Sequence, residues 1–314
     1  MTRSASDPRR PFGRLITAMV TPFRPDGSLD VEGVGRLAAY LVDEQGCDGL
    51  VVNGTTGESP TTSDTEKDTV IRAAVEAVGD RAHVIAGVGT NDTHHTVELA
   101  RAADKAGAHG LLVVTPYYNK PPQDALVNHF CGVADATALP VMLYDIPGRT
   151  GVPISTDSLL RLGEHERIVA LKDAKGSPAE TGWITRRGDL AVYSGDDALT
   201  LPLLSIGAVG VVGVVTHLFG LQVKAMIEAY ERGDVAGATA LHHALLPAFA
   251  GFFRTQGVMT TKAALGRLGL PAGPVRGPLV DASPAELAQL TVDCRDAGID
   301  LDAGLDALRA ETPR

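Results

Sequence analysis

Eight short apolar runs, each followed by an amphipathic stretch, recur along most of the chain. They occupy 14–20, 48–53, 83–87, 109–115, 140–145, 167–172, 190–194 and 209–215. Each run is nearly continuous in Val, Ile, Leu and Ala, as strands covered on both faces must be. The stretches between them carry helical spacing, with Ala-rich examples at 31–45, 64–78, 94–106 and 123–137. Asp30 and Ser63 stand where N-caps belong, and Ser63 has Glu66 three residues on, which spells a capping box. Strand–helix alternation of this kind implies an all-parallel sheet, and eight units are the number that closes one on itself. The expected fold class is therefore α/β, a (β/α)8 TIM barrel. An open doubly wound sheet would want a Gly-rich turn after its first strand, whereas this chain has Thr21-Pro22-Phe23-Arg24-Pro25 there.

The alternation stops near Arg232-Gly233-Asp234. Beyond that point the pattern reads as helices at 234–252, 257–268 and 284–297, the last behind Ser283-Pro284. The expected organisation is a disordered tail over 1–12, a catalytic barrel over 13–233 and a C-terminal helical region over 234–314.

Composition narrows the function. The chain has 314 residues and a formal charge of −10, which argues against nucleic acid or an anionic membrane surface as partner. No apolar run is expected to reach the roughly 18 residues that span a bilayer, and the N-terminus lacks the apolar stretch of a signal peptide. Cys47, Cys131 and Cys294 are odd in number and far apart, so neither a disulfide framework nor a zinc site is expected. A cytoplasmic enzyme is the simplest expectation.

In a barrel of this type, chemistry sits where the strands end and their following loops begin. The sixth run, Ile168-Val169-Ala170-Leu171, ends on Lys172 and Asp173. An ordinary ammonium is almost wholly protonated near neutrality, whereas an apolar surround favours the neutral amine, which can attack a ketone and form a Schiff base. The second run leads into Asn53-Gly54-Thr55-Thr56-Gly57-Glu58, where glycines let backbone N–H groups approach an anion. The fourth leads into Pro116-Tyr117-Tyr118-Asn119-Lys120, and the fifth into Tyr144-Asp145-Ile146-Pro147-Gly148-Arg149. The seventh leads into Gly195-Asp196-Asp197, and the eighth carries Val212. Singly, each has a bland explanation: a strand-end lysine that reaches solvent, a turn, a packed tyrosine, a solvated arginine. Together they put an amine nucleophile, hydroxyl proton carriers and a cation for a carboxylate at one predicted mouth.

Gly54-Thr55-Thr56-Gly57-Glu58, Pro116-Tyr117-Tyr118-Asn119-Lys120-Pro121, Tyr144-Asp145-Ile146-Pro147-Gly148-Arg149-Thr150-Gly151 and Leu171-Lys172-Asp173-Ala174-Lys175-Gly176 resemble the 4-hydroxy-tetrahydrodipicolinate synthase (dihydrodipicolinate synthase) family. This family belongs to the pyruvate-dependent class I aldolases. The similarity runs in order and at family spacing from about Gly13 to the C-terminal helices. It implies a carbon–oxygen lyase that condenses pyruvate with L-aspartate 4-semialdehyde on the way to diaminopimelate and lysine. By position, it implies that Lys172 forms the imine and that Thr56 with its neighbouring backbone holds the pyruvate carboxylate. Tyr144, Thr55 and Tyr118 would form a proton relay, with Tyr118 reaching in from a partner subunit. Arg149 would bind the semialdehyde carboxylate, and Gly195 and Val212 would line the pyruvate pocket. No metal or other cofactor is implied, and the assembly implied is a homotetramer built as a dimer of dimers. Two positions depart from the family: Val215-Thr216-His217 replaces a frequent Ala-Asn pair, and Asp173 a frequent Glu.

Two other readings stay open. One is a different pyruvate-imine aldolase, acting on N-acetylneuraminate or a keto-sugar acid; Arg149, Tyr118 and the Thr55-Thr56 pair weigh against it. The other is a non-catalytic barrel, which a lost lysine or tyrosine would support and this chain lacks. His94-His95 and His242-His243 are expected on helix surfaces without metal-ligand spacing. The resemblance also places a lysine-inhibition pocket at Ser59, Asp64, Lys67, Asn91, His95 and Tyr117. Lys67 and His95 stand there in place of a His and a Glu, so weak or absent inhibition is expected.

Overall fold

The computed structural model describes Asp7, residues 9–306 and Arg309. Its strands are β1 (Leu15–Ala18), β2 (Gly49–Val52), β3 (His83–Gly87), β4 (Gly110–Val114), β5 (Val141–Asp145), β6 (Ile168–Asp173), β7 (Ala191–Ser194) and β8 (Gly210–Gly213). Each pairs in parallel with the next, and β8 returns to β1 through Leu15↔Val211, Ile16↔Val212 and Thr17↔Gly213, closing the barrel. The helices between strands are α1 (Val31–Asp43), α2 (Asp64–Val78), α3 (Thr93–Lys105), α4 (Gln123–Ala134), α5 (Pro147–Thr150), α6 (Thr156–Gly163), α7 (Pro178–Arg187) and α8 (Thr200–Leu204). After the barrel come α9 (Thr216–Glu231), α10 (Val235–Phe252), α11 (Gly257–Arg267) and α12 (Pro284–Asp296).

Side-chain alternation along each strand sorts two cores. Leu15, Leu111, Leu143 and Leu171 point outward and pack beneath the helices. Ile16, Ile85, Leu112, Met142, Ala170 and Val212 point inward and fill the barrel. Phe12 plugs the bottom of that interior, fully buried, and its backbone N–H donates to the Tyr193 hydroxyl. Arg10 reaches Glu231 nearby. Residues 1–6 and Pro8 of the expected tail lie outside the described residues, and the chain is already part of the barrel floor by Phe12.

The capping box at α2 is present in both directions: Ser63 Oγ accepts from the Glu66 N–H, and the Glu66 carboxylate accepts from the Ser63 N–H. Ser283 and Glu286 repeat it at α12. One expectation is corrected at α10. Its 18 residues hold no Asp, Glu, Lys or Arg and are long and apolar enough, by length and composition, to cross a membrane. The helix carries His242, His243 and an internal Pro247, and buries Ala238, Leu245, Ala248, Phe249 and Phe252 in the layer it shares with α9 and α12.

Candidate active site

Lys172 and Tyr144 are register partners on β6 and β5, so they rise side by side at the C-terminal end of the barrel. Both belong to the inward set, two residues beyond Ala170 and Met142. The Lys172 ammonium lies 4.2 Å over the centre of the Tyr144 ring. Lys172 is only 5 % exposed, and burial pulls its pKa down to about 8. The buried Asp197 opposes that shift and the Arg149 charge adds to it. Burial likewise pushes the Tyr144 phenol up to about 12, against the pull of Arg149 and a hydrogen bond with Thr55. The lysine is thus moved toward the reactive neutral amine, while the tyrosine stays a hydroxyl that can pass protons without holding charge.

A small pocket of about 60 Å³ joins Lys172 to Thr55, Thr56, Tyr144, Arg149 and Gly195. Gly195 is required for space: a Cβ there would stand 2.9 Å from the Ala174 Cβ and 3.0 Å from the Lys172 Cγ. The pocket's remaining walls are Ile146 after β5, Val214 from the loop after β8, and Phe253, Gln256, Gly257 and Val258 from the end of α10 and the start of α11. Thr55, Tyr144 and Arg149 also line a larger cavity of about 1010 Å³, which opens outward past Tyr118 and Lys120. Of the two spaces, only the smaller is lined by Lys172.

Six of the eight expected residues, Lys172, Tyr144, Thr55, Thr56, Arg149 and Gly195, meet at this pocket. Two do not. Val212 sits one layer down in the barrel interior, and Val214 holds the wall position in its place. Tyr118 stands on the outer rim, 89 % exposed, with φ +75. The four non-glycine residues with positive φ among those described are Asn53, Glu58, Tyr118 and Lys120, all in the loops after β2 and β4. Left-handed backbone at non-glycine residues is disfavoured and clusters at functional sites.

Several contributors were given no role by the sequence. Gln256 accepts a hydrogen bond from Arg149 Nη2 at 2.9 Å, and Arg149 is carried by the single-turn helix α5. Asp197 is buried behind Lys172 and accepts from the Val214 and Val215 N–H groups, which shapes the turn after β8; burial raises its pKa to about 6. His217, fully buried, accepts from the Val20 N–H at Nε2 and donates from Nδ1 to the Val214 carbonyl. It ties the ends of β8 and β1 together.

In the outer cavity, Lys67 is buried with its ammonium turned to the Thr62 carbonyl, and His95 contacts Asp64 at 2.9 Å. Among the described residues, no group of three or more His, Cys, Asp or Glu side chains is placed to hold a metal ion.

A profile of the Dihydrodipicolinate synthetase family matches residues 11–297. The chain belongs to that family. Among the members it is similar to, the 4-hydroxy-tetrahydrodipicolinate synthase of Acidothermus cellulolyticus is 67% identical over 92% of this chain and 93% of the relative. The enzyme named 4-hydroxy-tetrahydrodipicolinate synthase 2 from Streptomyces coelicolor is 62% identical over 94% and 99%. The crystal structure of the family member from Cyanidioschyzon merolae, described with lysine bound, superposes with a TM-score of 0.89 at 43% identity, covering 91% of this chain and 98% of that one.

Proposed function

We propose that this chain condenses pyruvate with L-aspartate 4-semialdehyde, the 4-hydroxy-tetrahydrodipicolinate synthase reaction. The carrying observation is a buried lysine with its pKa pulled down to about 8, stacked on a tyrosine inside a small pocket edged by two threonine hydroxyls and an arginine. Thr56 and the neighbouring backbone hold the pyruvate carboxylate, which sets the keto carbon against Lys172. The neutral amine attacks that carbon; the resulting carbinolamine loses water as hydroxyls deliver a proton to the departing oxygen. Loss of a methyl proton then gives the enamine, whose carbon attacks the aldehyde of the second substrate. Arg149 holds that substrate's carboxylate, a task its planar fork suits better than a lysine would. The substrate's own amine then displaces Lys172 from the imine carbon, closing the ring and freeing the enzyme.

Tyr144, Thr55 and Tyr118 form the proton path in this reading. Tyr118 lies too far out on its own subunit's rim to complete it, so the neighbour's Tyr118 is assigned the role. That requires at least a dimer, and a dimer of dimers is the assembly the family resemblance implies. A cytoplasmic location accords with three unpaired cysteines, two of them buried.

The test is a coupled assay with pyruvate and aspartate semialdehyde, run beside N-acetylneuraminate and keto-sugar-acid substrates. Turnover of the first pair alone is the expected result. Efficient cleavage of a sugar acid would replace this reading with the other aldolase activity.

A further inference from the structure

The loop that carries Thr55 and Thr56 is gripped from the far end of the chain. Glu58, three residues after Thr55, takes a left-handed conformation with φ +56, and its N–H donates to the Thr55 carbonyl at 3.1 Å. Its side chain then turns away from the pocket into the protein. There Glu58 Oε1 meets the Lys262 ammonium at 2.6 Å, with both side chains 2 % exposed. Glu58 Oε2 accepts from the Arg276 N–H at 2.7 Å. Lys262 donates a further hydrogen bond to the Pro274 carbonyl at 2.8 Å and lies 4.2 Å over the Phe23 ring. The Arg276 guanidinium lies 4.1 Å over the same ring and donates to Glu66, Gly27 and Thr61. The strap bearing Pro274 and Arg276 is pressed onto the loop after β1. Phe23 N–H donates to the Ala272 carbonyl, and a Cβ at Gly273 would fall 1.7 Å from the Phe23 carbonyl oxygen.

We propose that Glu58 and Lys262 are a positioning pair through which the C-terminal helical region sets Thr55 and Thr56 for the keto-acid carboxylate. Three observations carry this. Both charges are desolvated, so each needs the other, and the pair ties the loop after β2 to a helix. Lys262 stands on α11, whose first turn, Gly257 and Val258, is itself a wall of the Lys172 pocket. One rigid helix therefore fixes the pocket wall directly and the opposite threonine loop through the ion pair. The strained φ of Glu58 is held by contacts on both sides, as a positioning role demands.

The inference rests on the proposed pyruvate chemistry, and borohydride trapping of pyruvate on the wild-type enzyme tests that first. If the wild type traps no pyruvate, the functional reading falls and the pair is left without a site to position. Given trapping, Glu58→Gln and the double variant Glu58→Gln/Lys262→Met are compared with wild type. The readouts are half-saturating pyruvate in trapping, the semialdehyde KM and the thermal unfolding midpoint. The double variant removes both buried charges, so it decides the matter even if the single variant does not fold. The expected result is that half-saturating pyruvate rises about tenfold or more while the semialdehyde KM stays within about twofold. The double variant should regain most of the thermal midpoint lost in Glu58→Gln without regaining pyruvate affinity. A folded double variant that binds pyruvate like wild type would overturn the proposal. So would losses that fall on both substrates alike and track the unfolding midpoint, because they would make the pair purely structural.

Discussion

A lysine with an unperturbed pKa of 10.5 is neutral in about one molecule in three thousand at pH 7; at about 8, the fraction is about one in ten. That difference is what burial of Lys172 contributes to the proposed imine formation. The initial rate of pyruvate trapping should therefore climb with pH through 7 and level off a little above 8. Lys172→Ala should abolish the adduct on this peptide in mass spectrometry. Arg149→Ala should still trap pyruvate, with semialdehyde efficiency lowered by about tenfold to a hundredfold for a lost charge-assisted contact. Because the Arg149 charge also helps hold the Lys172 pKa down, the trapping profile of that variant should move to higher pH. Loss of trapping altogether would instead make Arg149 structural. In the outer cavity, Lys67 puts a like charge near a lysine ligand's ammonium groups, and Asp64 is already engaged by His95. Half-inhibition by L-lysine should lie above about a millimolar, since a lost ion pair and a like charge together cost on the order of a hundredfold in affinity. Steady-state rates at saturating pyruvate with lysine titrated in measure this directly.

The joint between β8 and α9 shows how an element boundary can carry a pH dependence. His217 bridges the Val20 N–H and the Val214 carbonyl in a fully buried place, and burial takes its pKa down to about 4. An unfolded histidine titrates near 6.5, so between about 6.5 and 4 the unfolded chain binds the proton that the folded one refuses. Stability from this group is whole above 6.5 and is lost as pH falls toward 4, by up to about 3 kcal/mol. His217→Gln should melt lower than wild type at pH 7 to 8. The gap should close on acidification, as read by thermal unfolding across that range. A gap that stays constant would place the acid sensitivity elsewhere. Asp197, which braces the same turn from the other side with a pKa raised to about 6, titrates with the opposite sign and is common to both proteins.

Across the whole molecule, the proposed proton path makes assembly a requirement that can be tested. Tyr118 is exposed on its own subunit's rim, whereas Lys172 and Tyr144 are buried and Thr55 lines their pocket. Mixing Tyr118→Phe with Lys172→Ala, each inactive alone, should restore activity through hybrid dimers in which one site draws good residues from both chains. With free exchange at equal amounts, about a quarter of sites become complete, so recovery should approach about a quarter of the wild-type rate. Demonstrated subunit exchange with no recovery would mean that each site is self-contained.

The sequence by itself determined the barrel, because parallel strands buried on both faces must be written as continuous apolar runs. The runs at 83–87 and 140–145 agree with β3 and β5 to within a residue, and the helix read at 64–78 is α2 as found. It also determined which chemistry was present at the mouth, since Lys172, Tyr144, Arg149 and the threonine loop each sit where a strand ends. Tertiary structure alone decided which groups meet. Val214 rather than Val212 lines the pocket because inward residues stack in layers, and Val214 stands one layer nearer the strand's C-terminal end. Gln256 on Arg149, Asp197 behind Lys172 and Lys262 on Glu58 join segments far apart in the chain. Periodicity reports how one element is buried, and a pair brought together by folding leaves no period in either partner. The membrane-length composition of α10 obeys the same logic: Ala238, Leu245, Ala248, Phe249 and Phe252 became protein core once α9 and α12 covered them, while Val235 and Leu246 stayed exposed.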